Sequence, residues 1–260
     1  QGWLWGLRNT GQNGGTEGID IGAVKAWDLT TGSEDVIVAV IDTGIRYTHQ
    51  ELVGQMWINP DEIAGNGVDD DNDGYIDNVH GVDTVNFDGD PMDDNGHGTH
   101  CAGTIGAAAN DGNAHVGVAW GVSLMACKFL SAEGWGYTSG AISGIDFAVA
   151  NGARILSNSW GGGGYSGSEN STINVAQDTY GAIILGAAGN GYDAGGEQYG
   201  THYPSSYENC ISVCAIGCSG QWGNWATYHY TVDLAAPGES VYSAIIGAGY
   251  EAWDGSSMAC

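Results

Sequence analysis

Of 260 residues, 31 are acidic and 5 basic, giving a formal net charge of -26; so negative a surface repels phosphate backbones and excludes nucleic acid as a partner. Hydrophobic content of 42%, with 10 Trp and 13 Tyr, excludes a disordered acidic tail and suffices for one large domain with a sizeable core. No apolar run approaches the ~18 residues of a membrane-spanning helix, and the 46 glycines, which follow no repeat, point to tight turns and close backbone approaches.

The chain opens at Gln1 with neither an initiator Met nor a charged-then-apolar leader, which reads as a processed or partial sequence. Val36–Ile41 is a continuous, largely β-branched run suited to a strand buried on both faces. Similar runs follow at Val122–Leu130, Arg154–Ser159, Ala182–Ala187 and Ile211–Ile216, and helix-like stretches lie between them at His97–Ala109, Thr138–Ala150 and Ser168–Tyr180. This alternation predicts an α/β fold, a mainly parallel sheet covered on both sides. No linker divides residues 1–260, so one domain is expected. Its ligands should sit beyond the carboxyl ends of the strands, where Asp42, Ser159 and Asn190 fall. Cys210, Cys214 and Cys218 share the parity of one strand; their spacing matches no common zinc pattern, so they are expected to be small buried thiols.

Four groups carry the chemistry. Asp42 ends an apolar strand, where a carboxylate is costly without a partner. His97 opens a helix in Asn95-Gly96-His97-Gly98-Thr99-His100, Asn190 lies in Ala187-Ala188-Gly189-Asn190, and Ser257 lies in Gly255-Ser256-Ser257-Met258-Ala259. A helix beginning at Ser257 would aim free amides at a developing oxyanion. Each signal is weak alone. Together they give the order Asp, His, Ser, one of the orders known for nucleophilic triads. A zinc pair at His97 and His100 would need a third ligand and would leave Asn190 and Ser257 unexplained.

Val38–Ile45, Asn95–Thr104, Ser159–Gly162, Ala187–Asn190, Ala236–Gly238 and Gly255–Ala259 together resemble the subtilisin-family serine proteases, the subtilases. The resemblance implies a subtilisin-like three-layer α/β/α fold. It also implies a serine endopeptidase with Asp42, His97 and Ser257 as triad, Asn190 as oxyanion donor, and an acyl-enzyme on the path. Gly134, Trp135 and Gly136, with Ser159, Trp160 and Gly161, resemble the two segments that sandwich an extended substrate, and Ala187 and Gly189, just ahead of the oxyanion donor, are expected to bind substrate with them. Trp160 is either a bulky pocket wall or packed core. Family members continue beyond the Met-Ala of the serine motif, so the catalytic domain is expected to be C-terminally incomplete, its last helix and strands missing. Asp254 stands where Asn is more usual, adding charge near His97.

Between Asp61 and Asp94 there are 11 Asp, and no Lys or Arg lies between Arg46 and Lys128. Such crowding predicts a bound cation in an Asp-rich insertion at about residues 59–94. Asp69, Asp71, Asp73, Tyr75 and Asp77 offer oxygens at alternate positions, as in the first half of an EF-hand loop, with Asp77 closing the shell. Glu51 and Asp111 resemble ligands of a second family calcium site; a solvated acidic loop is the other reading of each. The expected cofactor is therefore structural Ca²⁺, and the expected setting extracellular. Expected partners are polypeptide substrates and an inhibitory N-terminal propeptide, the chain itself being a monomer without a membrane span. The competing reading is a catalytically silent, calcium-binding extracellular domain of the same fold.

Overall fold

The four residues Ala23–Ala26 (α1) precede the first strand, Ile37–Asp42 (β1), whose Val38 and Val40 point to one face and Ala39 and Ile41 to the other. Both sets are buried, as a strand covered on both sides requires. A computed structural model describes residues 2–191 and 201–260. After β1 come Gly81–Asp83 (β2), His97–Gly106 (α2), Ser123–Lys128 (β3), Thr138–Ala150 (α3), Ile155–Asn158 (β4), Gly167–Asp178 (α4) and Ile183–Ala187 (β5). Ile211–Ile216 (β6), Leu234–Pro237 (β7), the hairpin Val241–Ala244 (β8) and Tyr250–Trp253 (β9), and Ser256–Ala259 (α5) complete the series.

The main sheet has seven strands in the order β2-β3-β1-β4-β5-β6-β7, with every pairing parallel. One face packs Met125, Cys127, Ile145, Phe147, Leu156 and Ile173 under α3 and α4. The other packs Val38, Val40, Leu52, Cys101, Leu124 and Met258 under α2 and α5. These are the three layers that the resemblance implied. The second layer is thin, and an apolar cavity of about 490 Å³ lies there, lined by Ile105, Val122, Ile155, Leu185 and Met258 among others.

The N-terminal segment packs against the Pro237 end of β7, the edge strand of the sheet. Trp5 is buried and its Nε1 donates to Glu239 O at 2.8 Å, Gly6 lies against Pro237, and Asn9 Nδ2 donates to Cys218 O at 2.8 Å. All six cysteines are free thiols. Cys210, Cys214 and Cys218 do not converge on a metal-like group among the described residues. Burial pushes Cys127 and Cys214 up, to about 12 and about 11, which leaves them inert.

Candidate active site

Parallel pairing brings Asp42, Lys128, Asn158 and Ala187 to one edge of the sheet, at the ends of β1, β3, β4 and β5. Asp42 has no exposed surface and accepts a backbone bond from Thr43 N at 2.7 Å. Its two carboxylate oxygens lie 2.8 and 3.0 Å from His97 Nδ1. A carboxylate can only accept, so Nδ1 carries a proton, and in the neutral ring Nε2 is the nitrogen with the lone pair. Burial alone would lower the imidazole pKa, but the Asp42 carboxylate and then Cys101 outweigh it and hold it well above its ordinary 6.5.

The chain around these two residues is shaped to let them meet. Gly98 lies so close to the β1 end that a Cβ there would fall 2.2 Å from Gly44 O and 3.1 Å from the Asp42 Cβ. Gly44 has φ of +100°, and a Cβ on it would fall 2.4 Å from Pro91 O. Gly98 N donates to Thr43 Oγ1 at 2.9 Å. The N-cap of α2, Gly96, has no side chain to cap the free amides. Buried Asp93 supplies the oxygens instead, accepting from Asn95 N, Gly96 N and Thr99 N and from the Thr99 hydroxyl at 2.5–3.0 Å.

Ser257 stands in α5. Its Oγ donates to Ser159 O at 2.8 Å, and its own carbonyl accepts from Ser159 Oγ at 2.9 Å and from Cys101 Sγ at 3.7 Å. Cys101 Sγ also lies 4.0 Å from His97 Nδ1, so one thiol touches both residues. The hydroxyl is thus turned toward Ser159 and makes no hydrogen bond with His97. Asn190 Oδ1 accepts from Ser256 N at 2.8 Å and from Ser256 Oγ at 2.9 Å. That anchoring uses the carbonyl end of the amide and leaves its NH₂ as the donor. Asp254 binds Ser240 N at 2.7 Å through its carboxylate.

Gly134, Trp135 and Gly136 form an exposed turn closed by Ser131 N to Trp135 O at 2.8 Å, with the Trp135 ring outward. Trp160 is half-buried, edge-on to Phe129 with ring centroids 4.6 Å apart, and its Nε1 has no partner. The sequence does not single out His202, which the fold brings to this edge. Its Nδ1 lies 3.1 Å from Ala187 O, and its ring occupies the space that a Cβ on Gly161 would need, 1.9 Å away. Gly189 also borders the ring, which burial keeps below the ordinary histidine pKa. Nothing in Thr201-His202-Tyr203 marks this position; only three-dimensional packing reveals it.

In the acidic insertion, Glu62, Asp69 and Asp71 bring carboxylate oxygens within 4.8 Å of one another. Glu62 lies outside the alternate-position pattern and was not among the expected ligands. Asp77 was, but its φ of +54° turns the carboxylate away, onto the amides of Gly65, Asn66 and Gly67 at 2.7–3.1 Å. It does not close the shell. Asp73 accepts from Tyr75 N at 2.9 Å and Asn78 Nδ2 at 2.8 Å, and burial, with Asp71 and Asp69 nearby, raises its pKa. The Tyr75 ring packs edge-on against Phe147. Glu51 is fully buried; one oxygen accepts from the Tyr250 hydroxyl and the other has no partner. Its pKa is raised chiefly by burial and also by Asp111.

The family model of the subtilases, described as "Subtilase family", matches residues 33–260. The chain belongs to the subtilase family. It is 32% identical to thermitase of Thermoactinomyces vulgaris over 239 residues, which is 92% of this chain and 75% of thermitase. It is 33% identical to a thermophilic serine proteinase of Bacillus sp. strain AK1 over 90% of this chain but 51% of that protein. The crystal structure of a cold adapted subtilisin-like serine proteinase superposes with a TM-score of 0.68 at 31% identity, covering 87% of this subtilase and 72% of that chain.

Proposed function

We propose that this subtilase domain is a secreted serine endopeptidase in which Ser257 is the nucleophile, His97 the general base and Asp42 its orienting carboxylate. The observation that carries this reading is the bond from His97 Nδ1–H to a fully buried Asp42, which leaves Nε2 as a base. A turn of Ser257 about χ1 would exchange its bond to Ser159 O for one to His97. Ser257 Oγ would then attack the peptide carbonyl, and His97 would take the hydroxyl proton and later deliver it to the leaving amine, leaving an acyl-enzyme that water hydrolyses. Asn190 Nδ2 and the Ser257 amide would bind the oxyanion. The segments at 134–136 and 159–161 would hold an extended polypeptide between them, with Ala187, Gly189 and Trp160 bounding the side-chain recess. A monomer held inactive by an N-terminal propeptide completes the proposal. No helix among the described residues is long and apolar enough to cross a membrane.

The silent-domain reading is favoured by one observation, the Ser257 hydroxyl resting on Ser159 O. A fluorophosphonate separates the two. Stoichiometric labelling of the chain, abolished by Ser257→Ala, is the expected result; a folded chain that takes no label is the silent domain.

Calcium belongs to the same proposal. The crowded oxygens of Glu62, Asp69 and Asp71 fit a hard divalent cation, with Asp73 and the Tyr75 carbonyl as further donors. The unpartnered Glu51 oxygen, facing Asp111, fits a second site. Bound calcium would supply the positive charge that this insertion lacks. EDTA at constant ionic strength is expected to lower Tm by about 5 °C or more, and Glu62→Gln should shrink that difference. Identical melting curves with and without chelator would remove calcium from the account.

A further inference from the structure

Lys128 is one of only five basic residues in the chain, and it is buried at the active-site edge of the sheet. In register it sits between Asp42 of β1 and Asp83 of β2, so a carboxylate flanks it on either neighbouring strand. A buried ammonium must fill its three donor positions. Here they go to Thr43 O at 2.9 Å, Leu130 O at 2.9 Å and Asp94 Oδ1 at 2.6 Å. Thr43 is the residue whose amide holds the Asp42 carboxylate and whose hydroxyl holds Gly98 N in the first turn of α2. Asp94 follows Asp93, the carboxylate that caps the same turn.

We propose that Lys128 is a positioning residue for the Asp42–His97 pair, fastening the end of β1 to the loop that opens α2 through one ammonium that reaches both. The proposal rests on the reading of this pair as base and orienting carboxylate. It also gives the cation an electrostatic role. The groups facing the imidazole are Asp42, Cys101 and the buried His100, and those around the ammonium are Asp42, Asp83 and the half-exposed Asp94. Asp83 is taken up by Val85 N, Asn86 N and Asn86 Nδ2. Lys128 is the positive charge set among these carboxylates, and it opposes protonation of His97.

The test is the titration of His97 followed by NMR of its ring nitrogens, assigned with His97→Gln, in the whole chain. Lys128→Met should move the midpoint up by about half a pH unit or more, and Lys128→Arg, which keeps the charge, should move it by less. Asp94→Asn, at a half-exposed side chain, keeps an oxygen for the ammonium while removing one negative charge, and should move it down. A role confined to filling space would leave the midpoint unmoved when only the Lys128 charge is lost. A folded Lys128→Met protein with an unmoved titration overturns the proposal; if that variant does not fold, Lys128→Gln, which keeps a polar head without the charge, decides, an upward shift upholding the proposal and an unmoved midpoint ending it. The readout needs no turnover. Failure of wild type to take a fluorophosphonate would therefore defeat the peptidase reading while leaving this test to be decided on its own.

Discussion

Asp42→Asn is expected to slow fluorophosphonate labelling and peptide hydrolysis by about four orders of magnitude near neutral pH, the loss typical when the orienting carboxylate of a triad becomes an amide. The hydrogen bonds already present dictate how the new side chain must sit. Thr43 N donates to Asp42 Oδ1, so the amide oxygen takes that place, 2.8 Å from His97 Nδ1, and the NH₂ takes the Oδ2 place, 3.0 Å from the same nitrogen. That NH₂ can only donate, so it competes with the proton on Nδ1. The imidazole proton is driven to Nε2, and the nitrogen that should accept the Ser257 proton no longer can. The pair is also the main reason that His97 stays above its ordinary pKa, so the variant should carry a lowered His97 titration. Rate against pH, with melting temperature as a check on folding, measures both effects. A rate within tenfold of wild type would mean that Asp42 does not orient the base.

Gly98→Ala is the second large effect, and it acts through sterics alone. The added methyl would lie 2.2 Å from Gly44 O, a backbone atom next to Ile45, whose amide is bonded to Pro91 O, so the contact cannot open without moving backbone. Helix α2 must move off β1, carrying His97 with it. Overpacking of this kind costs about 1–3 kcal/mol, or a fall in Tm of roughly 2–12 °C for a chain of this size. A misplacement of about 1 Å at a reacting group can cost roughly a hundredfold in rate. Gly54→Ala, at a site with nothing within 4 Å, is the matched control and should change neither quantity. Thermal unfolding and labelling rate on the two variants decide the matter; equal behaviour would mean that the approach of α2 to β1 is looser than 2.2 Å implies.

The buried strands were legible in the sequence because β1, β3, β4, β5 and β6 are runs that only a doubly covered sheet accommodates. The helices α2, α3 and α4 lie within about three residues of their expected ends. The elements missed are short or exposed. β2 has three residues, β7 is half-exposed and ends in Pro237, and the hairpin β8–β9 lacks a continuous apolar run.

The site divides along the same line. Asp42, His97, Asn190 and Ser257 were visible because each lies in a motif whose small neighbours are themselves part of the signal. Glu62, Asp93, Lys128 and His202 were not, since each works through atoms contributed by other segments. Asp77 was assigned from spacing, and spacing carries no information about the positive φ that turns its carboxylate aside. Asp254, expected to bear on His97, instead holds the loop at Ser240.

The latch at the far edge of the sheet bears on how the molecule ages in solution. Trp5, Gly6 and Asn9 lie across Glu239, Pro237 and Cys218, so residues at the start of the chain cover the Pro237 end of the edge strand β7 and the segments beside it, more than two hundred positions later. Clipping the first dozen residues would do more than shorten the protein. It would bare the Pro237 end of β7 in addition to its exposed start, and an uncovered strand edge recruits strands from other molecules. A preparation nicked at this terminus would thus lose material to precipitation before its catalytic groups were themselves disturbed.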